Sequence, residues 1–328
     1  MPTNLPPEYY EAEERFRAAG SAEEKVGCLE EVLTTIPKHK GTDKLRADLR
    51  RKLSKLKTGL DTKKKGARHA SVYHIEKEGP ARVVVIGAPN VGKSALLAAV
   101  THATPKVSEY PFTTWTPTPG MMPVRDIQIQ LIDTPALSRE HVEPELFGLI
   151  RGADFVLLLV DLQARPIQQL DDTIGLLEEN RIALKGQEGG LAEHRGTALL
   201  PCIVLVNKND DRSWDEEFDV FRELLEDRWP LLPISAQTGR NLERLRETLF
   251  ERLELMRIYS KISGKEAELT APFVLRRGGT VAEFAAKVHK DFVKNLKTAR
   301  VWGTDVHDGQ QVGRDHTLHD GDVVELRV

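Results

Sequence analysis

Cysteine is scarce in this sequence. Only two cysteines, Cys28 and Cys202, occur in 328 residues, and they lie far apart in apolar surroundings. Their number and spacing argue against a disulfide framework, a CxxC redox pair and a cysteine zinc site. We therefore expect a reducing, cytoplasmic environment, in which both thiols serve as core packing.

Long apolar runs are also lacking. The apolar stretch 155–160 is far shorter than the roughly 18 residues that a membrane-spanning helix needs. Residues 1–4 do not have the basic and then apolar pattern that begins a secretory signal. No membrane partner is therefore expected.

The net charge is small, −3, but the charges are unevenly distributed. Residues 1–37 carry eight acidic and three basic side chains. Residues 38–68 carry thirteen basic side chains against three aspartates, a net charge of +10 over 31 residues. This basic stretch is a candidate contact for a polyanion.

Apolar periodicity divides the chain into three segments. Residues 1–78 show helical spacing and no strand-like alternation. Residues 79–262 alternate short β-branched runs with amphipathic helical patterns, which predicts an α/β fold with a mostly parallel sheet and helices on both faces. Residues 263–328 change pattern again and predict a small α+β domain.

The same periodicity predicts individual elements. In the central segment, the predicted strands are 82–86, 127–132, 155–160, 203–206 and 231–234. Helical patterns lie near 93–101, 166–181, 215–227 and 241–256, and residues 183–198 are expected to form an exposed loop. In the last segment, we predict strands at 273–275, 300–302 and 323–328 and one helix from 281 to about 295.

A glycine-rich sequence follows the first predicted strand and precedes a helix. In this setting the pattern G-x-x-x-x-G-K-S is typical of a loop whose backbone N–H groups bind nucleotide phosphates. Lys93 is then expected to reach the β- and γ-phosphates, and the Ser94 hydroxyl to bind Mg²⁺. The residues of this phosphate loop are Gly87, Ala88, Pro89, Asn90, Val91, Gly92, Lys93 and Ser94.

A second motif predicts which base is bound. Asn207, Lys208 and Asp210 follow the strand 203–206 in the pattern N-K-x-D. The Asp210 carboxylate can accept hydrogen bonds from both N1–H and the N2 amino group of guanine, whereas adenine offers no such pair. Asp210 therefore argues for GTP and GDP over an ATPase. Ser235 and Ala236 are expected to back the base through main-chain contacts.

Candidate metal ligands lie between these motifs. Asp133 ends the strand 127–132 at the edge that should face the phosphate loop, which suits a water-mediated contact to Mg²⁺. The segment 110–115 reads Y-P-F-T-T-W and offers two hydroxyls, Thr113 and Thr114. On chemistry alone, either threonine could join the metal when the γ-phosphate is present and thereby order the segment.

In this order the motifs resemble those of translation-factor-class GTPases, and within them the Obg and developmentally regulated GTP-binding group. The resemblance implies a P-loop G domain over 79–262 that hydrolyses GTP to GDP and phosphate with Mg²⁺, and it implies Thr114 as the metal ligand. Residues 263–328 resemble the TGS domain, a β-grasp module, and within them 301–304, 311–316 and 320–324 are similar to sequences of the developmentally regulated GTP-binding group. The resemblance is specific for these two domains and loose before residue 78.

Two features depart from that group. The spacing between Asp133 and Asn207 leaves no room for the inserted subdomain of developmentally regulated GTP-binding proteins, so we predict a related protein that lacks it. The third motif, usually D-x-x-G, has Ala136 in place of the glycine. The backbone N–H of Ala136 remains available to the γ-phosphate. Leu137 replaces the glutamine that orients water in Ras-type enzymes, so slow intrinsic hydrolysis is expected.

Asn90 has two interpretations. The resemblance implies that an asparagine at this position helps to hold K⁺ against the phosphates, where the cation would stabilise transition-state charge. The alternative is that Asn90 only caps the loop. The first interpretation predicts hydrolysis that is stimulated by K⁺.

Basic side chains suggest a ribosomal or structured-RNA partner, with no DNA partner expected. They include the stretch 38–68 and one face of a predicted helix. The members of that face are Lys287, Lys290, Lys294, Lys297 and Arg300. The resemblance to TGS modules also favours a ribosomal or RNA partner. The alternative is that the basic stretch and the basic helical face are solvent-exposed surfaces without a partner.

The rival function is a nucleotide-gated protein adaptor. Its N-terminal helices would bind a protein partner without RNA contact, through the stripe Leu45, Leu49, Leu53 and Leu56. Packing of that stripe within the chain is the competing interpretation.

Overall fold

A computed structural model of the protein describes residues 15–16, 22–36, 49–53, 73–101, 116–139, 143–185 and 196–327. The chain forms two compact units, residues 1–72 and 73–328. In the first unit, helix α1 (Ala22–Thr35) buries Leu29 and Val32. Among the described residues, no helix combines the length and apolar composition that a membrane span requires.

The predicted leucine stripe of the first unit is described only in part. Leu49 and Leu53 belong to a short helical stretch and are half-buried. Leu45, Leu56 and most of the basic stretch 38–68 lie outside the described residues.

A parallel sheet forms the centre of the second unit. In chain order, the first strands of this unit are β1 (Arg82–Gly87), β2 (Thr118–Val124), β3 (Ile127–Asp133), β4 (Phe155–Asp161), β5 (Ile182–Leu184), β6 (Ala198–Leu200), β7 (Cys202–Asn207) and β8 (Leu231–Pro233), of which β5 and β6 form a separate pair. The described residues form a six-stranded sheet in the order β2-β3-β1-β4-β7-β8. Every pair is parallel except β2 with β3, because a tight turn at residues 125–126 joins those two.

Helices cover both faces of this sheet. They are α2 (Lys93–Val100), α3 (Pro144–Arg151), α4 (Pro166–Glu179), α5 (Asp215–Leu224) and α6 (Leu242–Arg252). Alternate residues of the strands face opposite cores, since side chains alternate along a strand. One core joins the sheet to α3, α4 and α5, and the other joins it to α2 and α6. The predicted α/β class and its doubly covered sheet are confirmed.

The expectation of an exposed loop over 183–198 is wrong at both ends. Ala183 and Leu184 are buried in β5, which pairs in parallel with β6, where Ala198 is the first residue. Leu184 extends the core beside α4 rather than facing solvent. Residues 186–195 of the expected loop lie outside the described residues.

The C-terminal part forms a second sheet with a helix packed against it. Its elements are β9 (Leu255–Lys261), β10 (Ala267–Arg276), α7 (Val281–Val288), α8 (Lys290–Asn295), β11 (Thr298–Trp302), β12 (Gln310–Val312) and β13 (Val323–Arg327). Within the described residues the strand order is β10-β9-β13-β11-β12. Phe284 of α7 is fully buried against this sheet, so this domain has its own core.

Two C-terminal predictions differ from the structure. The helical pattern expected near 241–256 ends early, because α6 stops at Arg252 and the turn at Leu253 and Glu254 (φ 52°) leads directly into β9 at Leu255. The single helix expected over 281–295 is wrong, because His289 is extended (φ −168°, ψ 147°) and separates α7 from α8. The basic residues 287–300 therefore do not lie along one helical face.

Charged side chains join the two sheets at the turn of the β2–β3 hairpin. Arg125 pairs with Glu247 of α6 at 2.7 Å and with Asp320 at 3.2 Å. Asp126 pairs with Arg257 of β9 at 2.8 Å, and Arg257 also pairs with Asp320 at 2.9 Å. We call these residues the junction cluster.

Candidate nucleotide-binding site

Positive φ angles shape the predicted phosphate loop. Gly87, Asn90 and Gly92 have φ of 149°, 62° and 97°, a region that side chains other than glycine and asparagine rarely adopt. A Cβ at Gly87 would lie 2.4 Å from the Leu159 carbonyl oxygen. A Cβ at Gly92 would lie 2.3 Å from Nδ2 of Asn207. Close backbone approach thus requires glycine at both ends of the loop.

Lys93 lies inside this loop. Its Nζ donates to the carbonyl oxygens of Gly87, at 3.0 Å, and Ala88, at 2.8 Å. The side chain is 7% exposed, and this burial lowers its pKa to about 8, although the nearby Asp133 opposes the shift. A buried ammonium held by main-chain oxygens is positioned to meet an anion at the mouth of the loop.

Ser94 and Asp133 form the predicted metal-binding pair. The Ser94 hydroxyl donates to Oδ2 of Asp133 at 2.5 Å. Asp133 is fully buried, and its Oδ1 has no hydrogen-bond partner among the described residues. Burial raises the pKa of Asp133, while the Ser94 hydrogen bond and Lys93 oppose the shift. A buried carboxylate oxygen beside a hydroxyl fits Mg²⁺, a hard cation that prefers oxygen ligands. Thr114 lies outside the described residues.

The third motif is held against the phosphate loop. Thr134 donates its hydroxyl to the Val85 carbonyl at 2.7 Å, and the Leu137 amide donates to the Gly87 carbonyl at 3.1 Å. The Leu137 side chain is 3% exposed and packs in the core. Ala136 is half-buried. A buried aliphatic side chain cannot orient water by hydrogen bonding.

Asn207 ties the base motif to the phosphate loop. Its Nδ2 donates to the Val91 carbonyl at 2.8 Å, and its Oδ1 accepts from the Ala236 amide at 3.0 Å. Asp210 accepts a hydrogen bond at 2.5 Å from the Ser235 hydroxyl. Ser235 therefore orients the carboxylate through its side chain, and the main-chain contact that we expect it to make with the base stays a prediction.

Asp161 is a residue of this site that the sequence reasoning missed. Its Oδ2 accepts from Nζ of Lys208 at 2.5 Å, and the Asp161 side chain is 8% exposed. Gln163 donates its side-chain amide to the Lys208 carbonyl at 2.9 Å. A usable signal existed, because Asp161 ends the strand beside β7, and parallel neighbours end at the same edge of a sheet.

Sequence comparison assigns both domains. Residues 82–208 match the sequence model of a family described as 50S ribosome-binding GTPase, and residues 256–328 match that of the TGS domain. A GTP-binding protein of Methanocaldococcus jannaschii is 32% identical, over 93% of this chain and 92% of its own. Developmentally-regulated GTP-binding protein 1 of Xenopus laevis is 28% identical, over 92% of this chain and 98% of its own.

The archaeal relative is longer within the matched region. The match extends over 365 residues, while 93% of the 328 residues is about 305, so about 60 positions have no counterpart here. The lack of an inserted subdomain between Asp133 and Asn207 stays a prediction. Only α4, β5 and β6 lie between β4 and β7 in the described residues.

A solved structure shows the same fold. The YchF GTPase of Schizosaccharomyces pombe matches with a TM-score of 0.55 at 14% identity, covering 77% of this chain and 99% of that one. The chain therefore belongs to the family of developmentally regulated GTP-binding proteins, with a P-loop GTPase domain followed by a TGS domain.

Proposed function

We propose that this protein binds GTP, hydrolyses it to GDP and phosphate, and uses the nucleotide state to control its association with a ribosomal or other structured-RNA partner. One observation carries the nucleotide part of the proposal. Asn207 makes hydrogen bonds both to the phosphate loop, at Val91, and to the loop after β8, at Ala236. A base and a phosphate chain could therefore be bound by one rigid unit.

The phosphate end uses the loop and its lysine. Backbone amides of residues 87–94 would bind the α- and β-phosphates, and Lys93 would reach the β- and γ-phosphates. Ser94 and Asp133 would hold Mg²⁺, joined by Thr114. A magnesium ion held by these residues would supply positive charge against the negative charge that develops on the phosphates.

The base end uses a carboxylate that is already oriented. The Ser235 hydroxyl holds one oxygen of Asp210 at 2.5 Å, and Thr238 donates to the Asp210 carbonyl at 3.2 Å. This fixes the direction of the carboxylate before a base arrives, which lowers the entropic cost of binding. Asp210 would then select guanine, with Lys208 and Ala236 beside the ring.

The decisive experiment measures nucleotide affinity by calorimetry with Mg²⁺. Wild type should bind GDP and GTP and discriminate against ADP. Asp210→Ala should lower GDP affinity by about a hundredfold or more, because two hydrogen bonds to a charged group are lost. The matched control is Asp211→Ala, which removes the exposed neighbouring carboxylate that bonds Ser213. If Asp210→Ala keeps its preference for guanine over adenine, the proposal fails.

Hydrolysis should be slow unless another group assists. Leu137 is buried and offers no hydrogen bond to water, so the Ala136 amide is the remaining polar group of that motif near the γ-phosphate. Asn90, exposed at the mouth of the loop, is the candidate ligand for K⁺. GTP hydrolysis should rise when Na⁺ is replaced by K⁺, and this rise should disappear in Asn90→Ala. Equal rates in the two salts would remove the K⁺ hypothesis.

Two observations favour an RNA partner. The matching family model is described as ribosome-binding, and Lys287, Lys290, Lys294 and Lys297 are exposed on the TGS domain. Arg300 is half-buried in β11 and is less available. Electrostatic binding to RNA releases counterions, so it should weaken steeply with added salt.

A charge reversal separates RNA binding from the adaptor hypothesis. Lys287→Glu, Lys290→Glu and Lys294→Glu together should abolish sedimentation with ribosomes at low salt. The matched control reverses three exposed basic residues elsewhere, Lys185, Arg244 and Lys265, with the same change in net charge. If the first variant keeps the wild-type partners, an adaptor without RNA contact is the better description.

A further inference from the structure

A cleft runs between helices α4 and α5, which form its two walls. It encloses about 890 Å³. Three large apolar side chains line it while remaining exposed: Ile167 of α4 at 36%, and Val220 and Leu224 of α5 at 55% and 58%. Val220 and Leu224 are four residues apart and therefore lie on one face of α5. Contiguous exposed apolar surface of this kind typically marks an interaction site.

Carboxylates surround this apolar floor. Asp171 and Asp172 come from α4, and Glu216 and Glu217 come from the first turn of α5. All four are exposed, and the ion pairs of the described residues involve none of them. Among the described residues that line the cleft, Arg165 is the one basic side chain. The rim therefore carries unneutralised negative charge around an apolar centre.

We propose that this cleft is a docking surface for an amphipathic helix of a partner protein, with lysine or arginine flanking its apolar stripe. Two helical walls with apolar side chains between them are the geometry that accepts a third helix through residues at i, i+3 or i+4, and i+7. Basic flanks would meet the four carboxylates, which favours encounter and fixes orientation. RNA and anionic lipid surfaces are repelled by the same carboxylates. The proposal is independent of the nucleotide site and of the basic TGS surface.

A synthetic peptide of leucine and lysine at helical spacing, labelled with fluorescein, serves as the probe. Fluorescence anisotropy should show that it binds wild type. Val220→Glu with Leu224→Glu should weaken binding at least about tenfold, as expected for buried anchors. The matched control is Ile262→Glu with Leu269→Glu, exposed at 63% and 59%, which adds the same charge outside the cleft. Its binding should stay within about twofold of wild type.

A second pair of variants tests the rim. Glu216→Lys with Glu217→Lys should weaken peptide binding about tenfold, whereas Glu266→Lys with Glu268→Lys, which gives the same net charge, should have a small effect. Unchanged GDP affinity and melting temperature confirm that each variant is folded.

Three results would overturn the proposal. The first is equal peptide affinity of each cleft variant and its matched control, which would show that binding follows net charge alone, since net charge changes by the same amount in both. The second is equal binding of a leucine and glutamate peptide. The third is a concentration-dependent dimer of wild type that Val220→Glu with Leu224→Glu abolishes, which would make a second copy of the chain the occupant.

Discussion

Burial changes the ionisation of Lys93, because the charged ammonium loses its contact with water. Its pKa of about 8 lies below the ordinary lysine value of 10.5. Between these values the unfolded chain binds more protons than the folded one. The free energy of unfolding of the nucleotide-free protein should therefore rise with pH across that window, and the cost of burying the charged lysine is fully present below it.

This pKa predicts proton uptake on nucleotide binding. A polyphosphate beside Nζ favours the charged lysine, so GDP binding at about pH 9 should take up part of a proton. Calorimetry in buffers of different ionisation enthalpy measures this uptake. It should grow from about pH 7.5 to 9, since Lys93 is already charged at the lower pH. Flat proton exchange over that range contradicts the lowered pKa.

Asp161 predicts a positioning effect on the base. Asp161→Asn removes the charged partner that holds Lys208 at 2.5 Å. GDP affinity should fall about five- to tenfold, corresponding to roughly 1 kcal/mol, while discrimination against ADP persists because Asp210 is intact. Asp219→Asn, an exposed pair with Arg222, is the control and should have no effect. Loss of base discrimination would contradict this role.

A side chain at position 92 would introduce both backbone strain and a steric clash. Gly92→Ala should destabilise the protein by about 1–3 kcal/mol and abolish GDP binding, because its Cβ would meet Asn207. Gly278 also has positive φ, 84°, but its Cβ would have nothing within 4 Å. Gly278→Ala should therefore cost about 1 kcal/mol and leave GDP affinity unchanged. Chemical denaturation and calorimetry together separate the two effects.

At the scale of elements, burial decided which strands the sequence could predict. The predicted strands 82–86, 127–132, 155–160 and 203–206 lie inside the sheet, where β-branched runs buried on both faces have a strong signal. The strand predicted at 231–234 is also present, as β8, at one edge of the sheet. β2 was missed because it carries Pro119, Gly120 and Pro123, residues that strands tolerate mainly at an edge.

Helix ends were harder to predict for a related reason. Leu255 and Met256 continue the helical spacing of α6, yet they begin β9. The turn between α6 and β9 includes Glu254 in a positive φ conformation, and no glycine in the sequence marks this position. The break at His289 is equally unmarked, since neither proline nor glycine precedes α8.

In the nucleotide-binding site, too, local sequence patterns could be predicted and contacts between separate strands could not. Motifs that repeat between proteins, such as residues 87–94 and Asn207 to Asp210, could be located from sequence. The predicted strand end was a usable signal for Asp161 itself. Its pairing with Lys208 and the Ser235–Asp210 hydrogen bond could not be predicted, because each joins strand ends that only the sheet order brings together.

At the scale of the whole second unit, the junction cluster connects the GTPase and TGS domains. The Arg125 guanidinium lies 4.2 Å from the Phe250 ring centre, and that of Arg257 lies 5.7 Å from it. Their carboxylate partners respond to these cations. Burial alone would raise the pKa values of Asp126 and Asp320, but hydrogen bonds and nearby positive charge leave both below their usual range.

The junction cluster predicts acid sensitivity. Arg257→Ala should lower the free energy of unfolding near neutral pH by about 1–2 kcal/mol, since it removes hydrogen bonds to two carboxylates. Because the two carboxyl pKa values are lowered by folding, this contribution is present above the ordinary aspartate range and is lost as pH falls through the lowered values. Wild type and variant should therefore converge in acid. Arg222→Ala, which removes an exposed pair, is the control and should change stability by less than about 0.5 kcal/mol.

The β2–β3 hairpin has a mechanical consequence. At one end Thr118 is paired with Asp133 beside the phosphate loop, and at the other the turn of Arg125 and Asp126 grips the TGS sheet. Seven strand residues span roughly 23 Å, and a slip of one residue would turn every side chain to the opposite face. The hairpin can therefore move as a rigid body, but its two strands cannot slide past each other. A displacement of Asp133 would then either move the attached part of the TGS sheet or break the ion pairs at the turn.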